Sequence, residues 1–513
     1  MQRIRANPTP PAAPSGAESR LRAQVDEFLA QYLPKAPRHS SPKVLHDGLW
    51  GTLRLNPAEV AFIDTPLVQR LRQIHQMGLA NFTYPSTTHT RLEHTFGVIL
   101  QTERLCEALR KNGEGKRIRE ADVACLRMAA LFHDLGHGPF SHTSEEVYGV
   151  LPDMVSLMAG QPGKPGRPHE QLTWLIVTSR RFKRFCQKVA DAQGGPIPVD
   201  EIAGYIVGRP TGVAYKREMV NGPFDADKLD YLFRDSHFSG LPLSVDLDRL
   251  WYTARIAKAR GRNRLAVAHS GATSLEQVLF AKMILFTSVY HHHKVRACDC
   301  MFAGVIEYMR EKGISLPVRD RKLSWTSPID FLWVTDAEFL SFGYETSDND
   351  LHELIHNLFF RRLLKRALII SPKTIEQSPD DLWDELQQHA KEGPGSAQFR
   401  RDLARHIWES ARKPCLLQQV WVDLPEPPAL RASNETFVLQ SEEGGAEPMT
   451  LDELFPTSRW AQQYGVHKWR GHVFCPEECR DMIAAAARDV LQERFRVRVK
   501  PEAFTWCKMR PPK

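Results

Sequence analysis

Five side chains that can hold a metal or move a proton fall in one stretch: His94, His133, Asp134, His137 and His142. They belong to Arg91-Leu92-Glu93-His94 and to His133-Asp134-Leu135-Gly136-His137-Gly138-Pro139-Phe140-Ser141-His142. A second cluster runs Asp225-Ala226-Asp227-Lys228-Leu229-Asp230-Tyr231-Leu232-Phe233-Arg234-Asp235. A divalent cation takes ligands that are deprotonated near neutral pH, and neutral imidazole and carboxylate both qualify. Three imidazoles, or two imidazoles with two carboxylates, leave positions open for water and substrate oxygens. His94, His133, Asp134 and Asp227 supply the second kind of set. Mixed ligation of this kind suits Mn, Fe, Ni, Zn or Mg, and the expectation is one divalent metal ion clasped between the two segments.

Neighbouring residues on a helix diverge by about 100°, so His133 and Asp134 reach one ion only from a helix end. Gly136 and Gly138 supply that break. A His-Asp pair alone is more often a buried histidine beside a cap; His94 and the imidazoles of His137, His142 and His169 add the weight. In the second cluster Asp227, Tyr231 and Arg234 share one helical face, with Lys228 and Asp235 beside it and Leu229, Leu232 and Phe233 opposite. That polar face is either solvated or lines a cavity.

The elements that must carry these groups are helical. Apolar spacing predicts a helix from Arg91 to Lys111 and another from Asp122, on which Val123, Leu126, Ala130 and His133 share a face. Asp64-Thr65-Pro66 opens a further helical segment to Gln76. A long helical region is expected over Ser274–Lys312, and helices over Leu351–Ile370, Asp380–Glu409 and Pro476–Phe495. Short strands are expected within 415–460. The fold class is mainly α, in three parts: a disordered or short-helix tail over 1–42, a helical core over 43–320, and an α+β region over 321–513. Residues 161–168 read as a flexible insert.

A chain of 513 residues is too long for one compact core. The hydrophobic fraction of 42% and charged fraction of 25% are those of a globular protein. A formal charge of +7 fits an anionic ligand without requiring nucleic acid. Nine cysteines without a framework suggest a reducing, cytoplasmic setting, and no apolar run approaches the roughly 20 residues of a membrane span.

The residues resemble the HD-domain phosphohydrolases, in particular the deoxynucleoside triphosphate triphosphohydrolase branch. The resemblance rests on Asp64-Thr65-Pro66 with Gln69-Arg70-Leu71-Arg72 and Gln76, Arg91-x-Glu93-His94, the block His133–His142, His169-Glu170, the Asp225–Asp235 motif, and the cluster at 290–294. It covers about 45–300 and implies a helical HD core. It implies His94, His133, Asp134 and Asp227 as metal ligands. His137 and His169 would be proton-handling groups beside Asp134, while Arg91, His142 and Lys228 would be phosphate contacts. Tyr231 and Asp235 would read the sugar, with Gln76, Tyr290 and His291 also lining the substrate site. It further implies cleavage of a dNTP at the α-phosphorus to a deoxynucleoside and inorganic triphosphate, in a homo-oligomer. Asp64, Gln69 and Arg72 match positions that bind a regulatory nucleotide in some members; plain fold packing is the preferred reading of them here. Glu145 stands where some members have Asp, and His291 where an aromatic reads the sugar.

Other features have blander readings. Cys475-x-x-x-Cys479 and Cys298-x-Cys300 lack a second zinc pair and read as ordinary thiols. The basic stretch Arg180–Lys188, with its interleaved Phe, could serve a nucleic-acid groove, but a solvated helix face is the commoner cause. The same metal site could also hydrolyse another phosphoester, such as a cyclic nucleotide, an alarmone or a single-strand end. A third alternative is a non-catalytic nucleotide- or nucleic-acid-binding protein.

Overall fold

The computed structural model describes residues 16–161, 166–209, 213–376, 388–390, 393–426, 435–440 and 447–512. Residues 1–15 of the expected tail, part of the insert at 161–168 and all of 380–387 therefore lie outside the described residues. The chain is mainly α. Its first half runs through α1 (Gly16–Tyr32), the antiparallel hairpin β1 (Lys43–Asp47) and β2 (Gly51–Leu55), and the short helices α2 (Pro57–Ile63) and α3 (Pro66–Gln69). There follow α4 (Arg91–Leu109), α5 (Glu120–Phe132), α6 (His142–Tyr148), α7 (Pro152–Ala159), α8 (Pro168–Thr178) and α9 (Arg180–Gln193). Next come α10 (Val199–Ile206), α11 (Ala214–Val220), α12 (Ala226–Ser239) and α13 (Leu247–Thr253). The antiparallel strands β3 (Ala254–Ala259) and β4 (Arg262–Ala268) lead into α14 (Ala272–Leu285), a π turn over Phe286–Tyr290, and α15 (His293–Lys312).

The helices that frame the site start and stop for local reasons. Thr90 caps α4, and the Glu93 carboxylate returns to the Thr90 amide at 2.6 Å. Asp225 caps α12 by accepting from the Lys228 amide at 2.8 Å, and Gly240 ends it in the left-handed region at φ 71°. α4 packs against both α5 and α12. Gly97 makes the α4–α12 approach feasible, because a Cβ there would overlap the Asp230 carboxylate and the Arg234 guanidinium. Gly136 does the same for α8, whose His169 carbonyl occupies the space a side chain would need.

One apolar core runs from Leu21 of α1 to Leu364, takes in Val438, Leu451 and Phe474 from farther along the chain, and holds every helix named above that frames the site. A second gathers residues from Ala367 to Phe504 around a three-stranded sheet, in which strand Gly471–Cys475 pairs antiparallel with Lys365–Ile370 and Trp421–Asp423. α1 is not a free tail, since Leu21, Val25, Phe28 and Leu29 are fully buried in the first core. The helix expected over Leu351–Ile370 stops at Phe359. Arg361 takes φ 60° and the apolar run Ala367-Leu368-Ile369-Ile370 enters the sheet at its edge, pairing with the central strand Gly471–Cys475 and burying Ala367, Leu368 and Ile370 in the second core. The β3–β4 hairpin was not expected; its alternation is masked by alanines. Phe182 and Phe185 of α9 pack on Phe62 in the core, so the basic helix shows solvent its charges and not its rings. No described helix is long and apolar enough to cross a membrane.

Candidate metal centre

Four donors converge where α4, the end of α5 and α12 meet. His94 lies in the first turn of α4, His133 is the C-cap of α5 with Asp134 just beyond it, and Asp227 lies in the first turn of α12. The Nε2 atoms of His94 and His133 face each other at 3.3 Å. Asp227 Oδ1 is 3.0 Å from His94 Nε2 and 3.9 Å from His133 Nε2. Asp134 brings Oδ1 to 3.3 Å from His133 Nε2 and Oδ2 to 3.8 Å from His94 Nε2. His94, His133 and Asp227 place one ligand atom each within 4.8 Å of one another, and Asp134 adjoins both imidazoles. Ligands about 2.1 Å from a shared ion stand about 3 Å apart at right angles and about 4 Å apart when opposite, so the three fit one ion with Asp134 at its edge.

The supporting contacts decide which ring nitrogen faces inward. His94 Nδ1 meets Asp230 Oδ2 at 2.7 Å and His133 Nδ1 meets the Ala130 carbonyl at 2.7 Å. Both Nδ1 atoms therefore carry hydrogen, and the two Nε2 atoms are turned toward each other and toward two carboxylates. Imidazole nitrogens and carboxylate oxygens so converged are a donor set that fits a divalent metal, which would displace any proton shared among them. Burial works against a proton on His94, but the carboxylates of Asp227 and Asp230 outweigh it and raise its pKa to about 10. Burial would likewise raise Asp134; the neighbouring Arg91 guanidinium, with His133 and His137, holds it well below the usual range.

Asp230 was quoted in the motif but given no role by the sequence. It is wholly buried, accepts from Arg234 at 2.8 and 2.9 Å and from Trp50 Nε1 at 2.5 Å, and fixes His94. Its signal was present: a histidine ligand needs a carboxylate behind it, and Asp230 follows Asp227 by one turn. Arg234, read on the same face as Asp227, turns instead to Asp230 and Asp47. Arg91 is 2% exposed and gives its guanidinium to Asp134 at 2.8 Å and Ser141 Oγ at 2.9 Å, so it acts on the cage through Asp134.

A second histidine group adjoins the first. His137, His142, Glu145 and His169 place one ligand atom each within 4.8 Å of one another. Glu145 accepts from His169 Nδ1 at 2.9 Å and His142 Nδ1 at 2.5 Å, and the His137 and His169 rings stack at 4.0 Å. Burial opposes a proton on His169, yet the Glu145 carboxylate raises its pKa. Burial, Arg91 and His169 push His137 well below the usual imidazole range. Glu145 itself would be raised by burial but is held well below its normal range by the two imidazoles it serves. His169, with Nδ1 anchored on Glu145, is thus the imidazole of the pair that favours a proton, and His137 the one that disfavours it.

On the α12 side, Lys228 pairs with Asp225 at 2.6 Å. Lys282 of α14, which the sequence reading passed over, lies near Lys228, Arg167 and Asp227; burial first, then those two cations, lowers its pKa to about 7. It precedes Phe286 and Tyr290 at intervals of four, a spacing that would have found it. Tyr231 is half-buried beside Asp227. Asp235 is buried, bound by Tyr290 and by His89 Nε2 at 2.7 Å. Gln76 is buried with its Oε1 unpaired. His291 sits apart, near Arg296, Asp423 and Glu146, and burial followed by Arg296 lowers it to about 4. Asp64, Gln69 and Arg72 lie near the surface, where Lys43 holds Asp64 at 2.7 Å, Gln69 donates to the Ile63 carbonyl at 2.8 Å, and Arg72 donates to Gln69 at 3.3 Å.

Residues 91–198 match the HD domain family and residues 245–498 match the HD associated region, so the chain carries an HD domain with its associated region behind it. An uncharacterized protein of Methanocaldococcus jannaschii is 25% identical over 85% of this chain and 80% of its own length. The deoxynucleoside triphosphate triphosphohydrolase SAMHD1 of Homo sapiens is 28% identical over 63% of this chain and 54% of its own length. The protein of the same name from Gallus gallus is 27% identical over 67% of this chain and 59% of its own length. The chain thus spans little more than half of the relatives that carry a named activity.

Proposed function

We propose that this HD-domain chain is a metal-dependent phosphohydrolase that cleaves deoxynucleoside triphosphates at the α-phosphorus, releasing a deoxynucleoside and inorganic triphosphate. One observation carries the reading: a single donor cage has a hydrogen-bonded His169–Glu145 pair next to its Asp134 and two lysines, Lys228 and Lys282, next to its Asp227. A leaving-group acid and a polyphosphate-neutralising patch therefore flank one cation site.

When bound, the cation supplies Lewis-acid polarisation of a phosphoryl oxygen. His94, His133, Asp134 and Asp227 hold it, and Asp230 and the Ala130 carbonyl keep the imidazoles oriented. His169 holds at Nε2 the proton that the departing 5′-oxygen needs, and Glu145 keeps that proton in place. As water oxygen bonds to the α-phosphorus and the bond to the 5′-oxygen breaks, that proton passes to the nucleoside. Neutral His137, stacked on His169, is the neighbouring group able to accept one. Lys228 and Lys282 offset the triphosphate charge. Tyr231 and Asp235 bound the sugar, and the unpaired Gln76 Oε1 is an acceptor for the nucleoside.

The test is a panel of dNTPs, NTPs, cyclic nucleotides, alarmones and single-stranded oligonucleotides, incubated with Mn, Fe, Ni, Zn or Mg in turn and with nucleotide activators. Products are identified by chromatography. Deoxynucleoside and triphosphate from a dNTP are expected; turnover only of another phosphoester would replace the substrate class while keeping the site.

A further inference from the structure

Within the HD associated region, the carboxylate of Asp336 joins two turns of the site. This residue opens helix Asp336–Ser341 and is 3% exposed. Its Oδ1 accepts from the Phe140 amide at 2.7 Å. Its Oδ2 accepts from the His75 amide at 2.9 Å and meets His75 Nδ1 at 2.6 Å. The two turns it joins are those that carry Gln76 on one side and His137 with His142 on the other.

The second turn is strained. Phe140 and Ser141 are consecutive non-glycine residues at φ 54° and 55°, a conformation that side-chain sterics disfavour and that persists only when its surroundings hold it. The Phe140 ring is wedged against Phe302 and Phe339. Ser141 Oγ donates to the His75 carbonyl at 2.5 Å and accepts from Arg91 Nε at 2.9 Å. Without the Asp336 carboxylate, the Phe140 and His75 amides would lose their acceptor, a state buried backbone donors avoid. The displacement would run through Ser141 to Arg91 and Asp134, and directly into α6, which begins at His142 and carries Glu145.

We infer that Asp336 is a positioning residue: it clamps the strained Phe140–Ser141 turn so that His142, Glu145 and His169 stay aligned beside the cage. The inference rests on the hydrolase reading for its kinetic part only. Of the four cage residues only Asp134 is linked to these turns, through Arg91 and Ser141, while His94, His133 and Asp227 make no bond to either, so a shift of the turn leaves three of the four donors in place.

The experiment compares full-length wild type, Asp336→Ala, Asp336→Asn and, as a control in the same segment, Asp330→Asn, which weakens a carboxylate held by the Ser327, Trp325 and Thr326 amides and bonded to neither turn. Metal content, kcat and KM, and amide hydrogen exchange over residues 138–148 are measured. Asp336→Ala should keep the wild-type metal content, change KM by less than about threefold, and lower kcat by about tenfold or more, since small misplacements carry large rate losses. Asp336→Asn, which retains one acceptor, should fall between, and Asp330→Asn should match wild type. Exchange over 138–148 should quicken about tenfold in Asp336→Ala alone, whether or not any substrate is turned over. Unchanged exchange in Asp336→Ala overturns the clamp. So does a kcat loss that only follows lost metal or that Asp330→Asn shares. A wild type that turns over nothing counts instead against the hydrolase reading, and the exchange comparison still decides the clamp.

Discussion

His94 Nδ1 and Asp230 Oδ2 stand 2.7 Å apart, and that contact turns the other ring nitrogen of His94 toward Asp227 and His133. Asp230 is in turn fixed by Arg234 and Trp50. Replacing it with alanine would strand the Arg234 charge, so Asp230→Asn is the cleaner variant. It should weaken metal affinity by about 10–100-fold, the usual loss when the partner of a histidine ligand is changed. Titration with Mn followed by calorimetry measures it; wild-type affinity would show that the contact does not orient the ligand.

Asp227→Asn should remove turnover, by more than about 100-fold, with little change in thermal stability. The side chain is 34% exposed and its neighbours are ionic, not apolar, so its loss opens no cavity. Kinetics and a melting curve on the same sample check both halves. A large drop in melting temperature would make Asp227 a structural group.

Lys282 titrates near neutral pH because burial, Lys228 and Arg167 lower it to about 7. It is charged below that value and neutral above it. Its help in holding a polyanion should therefore fade as pH rises through about 7. Lys282→Met should raise KM for a triphosphate more than it lowers kcat, and should flatten this part of the KM–pH profile. Unequal KM values that persist at high pH would contradict the assignment.

His75 gives a stability test of opposite location. The hydrogen bond to Asp336 raises its pKa above the ordinary value of about 6.5, despite partial burial. A raised folded value means that its contribution is complete below the unfolded pKa and is lost as pH climbs through the folded one. Between about pH 6 and pH 8 the wild type should lose this part of its stability, and His75→Gln should not. Melting temperatures at both pH values decide it; equal slopes would sever the link.

Much of the site could be read before the fold. Metal-ligand chemistry and glycine spacing pointed to His94, His133, Asp134 and Asp227 and placed the His133–Asp134 pair at a helix end, where it is found. What the sequence hid was mostly direction. Arg234 and Tyr231 share a face by periodicity, but the carboxylates of Asp230 and Asp47 pull Arg234 away from the cage. Arg91, which the resemblance implies as a phosphate contact, is a buried partner of Asp134. Asp336 could not be inferred, because nothing local ties residue 336 to a turn at 140; only tertiary packing brings them together. The strand Lys365–Ile370 was missed because an apolar run of that length reads equally as a buried helix.

The most direct measurement is product identification on metal-stripped and metal-restored protein. Protein dialysed against a chelator should release nothing from any dNTP, and restoring one equivalent of a divalent ion should yield deoxynucleoside and intact inorganic triphosphate in equal amounts. Release of pyrophosphate or orthophosphate as the first product, or turnover that is unaffected by stripping and by His133→Ala, would contradict the account.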